Sequence, residues 1–207
     1  MKPQSQKTKT IALMGILSAV LILMAFTPVG YLKIGVISIS FLMIPVALGA
    51  IALGPWAGAA LGALFGITSF AQCFGMDAFG TFLMDINPFF TFVMCIVARA
   101  LAGLCAGFVA KAVKKIGVAG FAITGFCAAA FNTIFFMGSL ILFFWNNKTF
   151  LDQMQAWGIT TENLAKFFAA FVGINCVFEA LAACIITGAI GTALSKAKLI
   201  PSEETKK

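Results

Sequence analysis

The chain has 207 residues, 61% of them hydrophobic and 10% charged, with a mean hydropathy of +1.05. An ordinary soluble domain cannot hide that much apolar surface, which excludes a soluble fold. The formal net charge of +7 would suit nucleic acid in a soluble protein, but here the lysines gather beside the ends of apolar stretches, so topology accounts for them and no nucleic-acid partner is expected.

A helix of about 20 apolar residues crosses a hydrocarbon core roughly 30 Å thick, so this length holds about six spans with short connections and no soluble catalytic domain. The expected fold is all-α, a single integral membrane domain built as a bundle of six transmembrane helices, with cytoplasmic tails at 1–10 and 196–207. A basic start with Lys2, Lys7 and Lys9 leads into the first span, 11–29. That start is shared with signal peptides, but five further spans make it a retained anchor. Gly30 to Gly35 reads as a turn carrying Lys33, and the second span covers 36–53. Pro45 falls inside it, where the missing N–H predicts a kink.

Gly54-Pro55 reads as a stop and restart, because glycine tolerates the left-handed cap of one helix and proline suits the first turn of the next. The third span follows, 55–74, and then a polar connection in which Asp77 and Asp85 are solvated. Pro88 opens the fourth span, 88–111, and Lys111, Lys114 and Lys115 close it; the fifth covers 117–145. In the longest connection, 146–161, Phe150, Leu151, Met154 and Trp157 fall at helical spacing. That pattern suits a short amphipathic segment, either resting at the interface or acting as a lid. It begins with Asn147-Lys148-Thr149, a glycosylation sequon that chance readily supplies. The sixth span, 164–195, ends in a polar tail.

On this arrangement Lys2, Lys7, Lys9, Lys111, Lys114, Lys115, Lys196, Lys198, Lys206 and Lys207 share one side, and Lys33, Lys148 and Lys166 the other. The positive-inside rule then places both termini in the cytoplasm and the connections around Lys33, Asp77 and Trp157 outside a bacterial cell membrane.

Catalytic chemistry finds little support. Histidine is absent, and the six cysteines form no CxxC pair and lie mainly in apolar stretches, so no metal site and no cofactor is expected. Nucleophile-elbow, zincin and Walker patterns are missing too, so any ATP hydrolysis belongs to another chain. Asp77 and Asp85 stand eight residues apart in a connection, unsuited to paired acid–base work.

Gly54, Gly58, Gly62 and Gly66 recur every four residues and mark a face that another helix can approach closely, within this chain or in a partner. Gly103 and Gly107 give the fourth span a similar surface, and Gly15 with Ala19 a shorter one on the first. Arg99 lies mid-span, where an uncompensated charge costs several kcal/mol or more. Glu179 on the sixth span is its nearest chemical complement. Either the two form a structural pair, or Arg99 receives a substrate carboxylate. Asn87, Asn132 and Asn175 add amides on the last three spans, which suggests a polar binding half and a smooth packing half. Trp56, Trp145, Trp157 and the single tyrosine, Tyr31, fit interfacial belts.

Several stretches resemble a known family, the substrate-binding S components of energy-coupling factor (ECF) vitamin transporters. They are the basic start, Ile37-Ser-Ile-Ser-Phe-Leu-Met-Ile-Pro45, Gly49-Ala-Ile-Ala-Leu-Gly-Pro-Trp-Ala-Gly58 continuing to Gly62 and Gly66, Arg99-Ala-Leu-Ala-Gly103, and Asn132-Thr133. The resemblance implies a six-helix protein that captures a vitamin outside and docks on a transmembrane coupling protein served by two ATPase subunits. It also implies docking through the first three helices, with Gly15, Ala19, Gly58, Gly62 and Gly66 as candidates, and a site in helices 4 to 6 using Asn87, Arg99, Asn132, Asn175 and Glu179. The usual Ala-xxx-Ala pair of the first helix is replaced here, since Ala12 is followed by Ile16. An intramembrane arginine with amides suits a small polar acid such as pantothenate; riboflavin, folate and cobalamin are the alternatives. A self-sufficient secondary carrier or channel is the competing reading, but no repeat relates the two halves.

Overall fold

The computed structural model describes residues 3–34, 37–171, 173–197 and 199, and only the backbone at 3–6, 32–34, 37–39, 171, 174 and 175. Helix α1, Pro3–Ala25, already includes residues 3–10, which were expected as a tail. Its Leu17, Leu21 and Ala25 face inward, while Ile11, Ile16, Val20 and Leu23 stay exposed, as a lipid-facing surface requires.

The expected second span is corrected by the structure. Strands β1, Tyr31–Ile34, and β2, Ile37–Ser40, pair antiparallel with Tyr31 opposite Ser40 and Ile34 opposite Ile37. The alternating Ile-Ser-Ile-Ser pattern has the period of a strand, and β1 supplies the backbone partners. Helix α2, Met43–Leu53, is therefore only 11 residues, about 16 Å at 1.5 Å per residue, and its residues from Met43 to Ala50 are all buried. Pro45 is the third residue of this helix, where its absent N–H forfeits no intrahelical bond, so the expected kink has no cause.

Gly54, with φ of 97°, separates α2 from α3, Pro55–Gln72, in the expected stop and restart. The region expected as a polar connection instead contains α4, Ala78–Ile86, capped by Asp77, whose Oδ2 accepts from the Gly80 N–H at 2.7 Å. Helix α5, Pro88–Ala112, ends in a 3₁₀ turn at Lys114–Ile116, and α6 covers Val118–Phe144. Helix α7, Lys148–Ala156, is capped by Asn147, whose Oδ1 accepts from Phe150 N–H at 3.0 Å. The span expected at 164–195 forms two helices, α8, Leu164–Phe171, and α9, Gly173–Lys196, with Gly173 at a φ of 36° that favours glycine.

The glycine face of α3 packs inside the chain, the internal one of the two neighbours its spacing allowed. Gly58, Gly62 and Gly66 are buried against the α5 backbone, where an added Cβ would overlap the carbonyls of Gly103, Arg99 and Cys95. Gly103 and Gly107 return the contact against Gly58 and Pro55. By contrast, Gly15 and Ala19 on α1 are exposed, with nothing near the Gly15 Cβ position.

Four described helical segments are long and apolar enough to cross a membrane: 7–25, 88–112, 118–144 and 176–196. Two cores join the bundle: α1, α2, α3, α5, α6 and α9 meet around Leu21, Met43, Leu61 and Phe65, and a second core gathers Phe79, Met94, Phe144, Phe150 and Phe167. The chain is a multi-pass helical membrane protein.

Candidate ligand-binding site

A cavity of about 640 Å³ lies between the two cores. The end of α1 contributes Phe26, Thr27 and Pro28; the hairpin contributes Tyr31 and Ser40; α3 contributes Phe65, Ser69 and Gln72. Asp77, Phe79, Gly80 and Leu83 close it from α4, and α5, α6 and α9 add Arg99, Asn132, Thr133, Phe136 and Glu179. Helix α4 lines the cavity, and no residue of α7 does among the described ones. Trp157, just past α7, packs on Phe79 and Phe82 with ring centroids 6.2 and 5.4 Å apart, holding α4 from behind.

Arg99 dominates the electrostatics. It is 8% exposed, its Nη1 donates to the Cys95 carbonyl at 3.1 Å, and its Nε has no partner. Its guanidinium carbon sits 4.7 Å from the Phe65 ring centroid and 5.5 Å from that of Phe136. Contacts of this kind contribute about 0.5–2 kcal/mol each, against a desolvation cost of several kcal/mol for the ion. These contacts therefore offset only part of the cost of burying the ion.

Of the two readings of Arg99, the structural one is not met at ion-pair distance from Glu179. The one ion pair among the described residues joins Lys166 and Glu162. Glu179 is occupied otherwise: its Oε1 accepts from Asn132 Nδ2 at 3.4 Å, and its carboxylate also accepts from the Ser40 backbone N–H. Asn132 thereby leaves its Oδ1 buried without a partner. One wall thus offers a cationic donor, and another a free acceptor for a hydroxyl or amide N–H.

Arg99, Asn132 and Glu179 come together as the sequence suggested. Asn87 does not join them: its Oδ1 caps α5 by accepting from Phe90 N–H at 3.0 Å, a structural role. The Asn175 side chain falls outside the described residues. Sequence reasoning missed Tyr31, Gln72 and Asp77 as lining groups. Tyr31 looked like an interfacial belt residue and Asp77 like a solvated loop acid; only the fold turns both inward. Gln72 Nε2 donates to the Ala25 carbonyl and so ties α3 to the end of α1 at the cavity.

The model of "ECF transporter, substrate-specific component" matches residues 9–191. The chain is 27% identical over 200 residues to the Pantothenate transporter PanT of Leuconostoc mesenteroides, covering 92% of this chain and 94% of that protein. It is 30% identical over 169 residues to the Pantothenic acid transporter PanT of Lactococcus lactis, covering 77% and 79% respectively. With a match running through nearly all of its helices, the chain belongs to the substrate-specific components of ECF transporters.

Proposed function

We propose that this substrate-specific component binds pantothenate in the α4-covered cavity for uptake across the bacterial cell membrane. The observation that carries the reading is Arg99, buried on the cavity wall with a free Nε and no carboxylate in ion-pair reach among the described residues. The guanidinium receives the ligand carboxylate, and the free Oδ1 of Asn132, oriented by Glu179, accepts from a hydroxyl or amide N–H. The names of the two bacterial relatives support the same vitamin.

In this reading the chain crosses the membrane six times, with α2 and α3 completing the set although α2 is short. Lys7, Lys9, Lys111, Lys114, Lys115 and Lys196 stand at helix ends opposite the cavity mouth, which supports cytoplasmic termini and an outward-facing mouth. The chain is a binding component and not a catalyst; a transmembrane coupling protein and two ATPase subunits complete the importer. The exposed Gly15 and Ala19 on α1 are the surface proposed to meet the coupling protein, since the α3 glycines are already occupied.

The test is a thermal-shift and calorimetric screen of the purified chain in detergent against pantothenate, riboflavin, folate, thiamine, biotin and cobalamin. Saturable binding of pantothenate alone, with the stabilisation that mass action requires, is the expected result. A response to another vitamin would replace the assignment, and no response from a folded sample would remove it.

A further inference from the structure

We propose that Asp77, with the Thr27 hydroxyl at the same level, forms the specificity-determining end of this cavity: it receives the hydroxyl end of the ligand and rejects a ligand phosphorylated there. This subsite rests on pantothenate as the ligand of Arg99.

Helix packing sets Asp77 and Arg99 at opposite ends of the cavity. An added Cβ at Gly62 would meet the Arg99 carbonyl and one at Gly66 the Cys95 carbonyl, so α3 and α5 run antiparallel. The Arg99 guanidinium is level with Phe65, its carbon 4.7 Å from the ring centroid. Gln72 lies two turns further along α3, about 10 Å beyond Phe65 at a rise of roughly 1.5 Å per residue. The Asp77 N–H returns to the Gln72 carbonyl at 2.9 Å, which holds Asp77 at that level. Gln72 Nε2 also donates to the Ala25 carbonyl, just before Thr27, and so brings the end of α1 to the same height. Asp77 and Thr27 both line the cavity.

Pantothenate has the matching length and polarity. Its carboxyl carbon and primary hydroxyl oxygen are about eight bonds apart, or about 10 Å when extended at roughly 1.2 Å per bond, the advance of an extended peptide chain. With the carboxylate on Arg99, the hydroxyl end reaches Asp77. The α4 cap occupies one acceptor position there, Oδ2 taking the Gly80 N–H at 2.7 Å, and an ionised carboxylate offers about four, so Asp77 has capacity for a ligand hydroxyl. Thr27 Oγ1 is buried without a partner and supplies a second group. Phe79 and Leu83 of α4, both buried in the cavity wall, suit the two methyl groups beside that hydroxyl.

Charge sets what is excluded. Arg99 is the only cation among the residues lining the cavity, and it lies at the other end. A phosphate in place of the hydroxyl therefore meets a carboxylate with no compensating cation on the lining, a repulsive element that separates two ligands of otherwise equal shape.

The experiment is calorimetry on the purified full chain in detergent with three probes: pantothenate, its analogue lacking the primary hydroxyl, and pantothenate phosphorylated on that hydroxyl. The parent is expected to bind the phosphorylated form on the order of 100-fold more weakly than pantothenate, and the deoxy analogue on the order of tenfold more weakly. In D77N the amide still caps α4, since asparagine caps as well as aspartate, so the melting temperature of the ligand-free variant stays with the parent. The charge is gone, however, and D77N is expected to narrow the discrimination against phosphate by on the order of tenfold and the deoxy penalty to roughly threefold. Unchanged ratios in a folded D77N overturn the role of Asp77, and unchanged pantothenate affinity in T27V strikes Thr27 from the subsite. If the parent binds pantothenate and R99M weakens it while D77N keeps the parent's ratios, the pantothenate reading stands and this subsite alone fails. If the folded parent binds no pantothenate, both fall together.

Discussion

Replacing Arg99 with methionine removes the charge but keeps a flexible apolar chain between the Phe65 and Phe136 rings. In the free protein the guanidinium is held by one hydrogen bond to the Cys95 carbonyl and two ring contacts. Their loss, a few kcal/mol, is offset by relief of a buried-ion desolvation cost of similar or greater size. Glu179 is not orphaned, because Asn132 and Ser40 hold it. The melting temperature of the ligand-free variant is therefore expected to match or exceed that of the parent. Ligand binding behaves differently, since a hydrogen bond to a charged group contributes about 1.5–3 kcal/mol. Taking about 3 kcal/mol for a bidentate carboxylate, R99M binds pantothenate on the order of 100-fold more weakly. Calorimetry on parent and variant, repeated with the alcohol analogue that lacks the carboxylate, isolates the charge. The analogue is expected to bind both proteins equally. Unchanged pantothenate affinity, or an equal loss for the alcohol, would refute the assignment of Arg99 to the carboxylate.

Three further substitutions separate packing, capping and docking. Gly62→Val places a branched side chain against the Arg99 carbonyl, and overpacking of about 1–3 kcal/mol or more should lower the melting temperature and perturb ligand binding through the displaced α5 backbone. Asn87→Ala removes the cap of α5, costing about 1 kcal/mol of stability with pantothenate affinity unchanged; a selective loss of affinity in calorimetry would return Asn87 to the site. Ala19→Trp on the exposed face of α1 should leave binding by the isolated chain intact and abolish uptake in cells, whereas normal uptake would move the docking surface elsewhere.

Much of this architecture was legible because it depends on local chemistry. Hydropathy and length located the helices that became α1, α5, α6 and α9, and Gly54-Pro55 marked the break before α3 because backbone geometry there is a property of two residues. The hairpin at 31–40 escaped notice because a short apolar run reads as helix or strand until a partner is known. Helix α4 escaped for a related reason: its Asp77 cap resembles any acidic loop residue until the Gly80 N–H is seen bonded to it. The break ahead of α9 was hidden by continuous hydropathy.

The sequence by itself determined that the chain lives in a membrane, that α3 and α5 carry surfaces suited to close approach, and that Arg99 sits where an ion is costly. Those conclusions follow from composition and spacing along one chain. Only the tertiary structure decided what each feature meets. It turned the α3 glycines onto α5, gave Glu179 to Asn132 and Ser40 instead of Arg99, and brought Tyr31, Gln72 and Asp77 to one cavity. Helix rotation and the competition among neighbouring donors and acceptors set these contacts, and both arise only when distant segments are packed together.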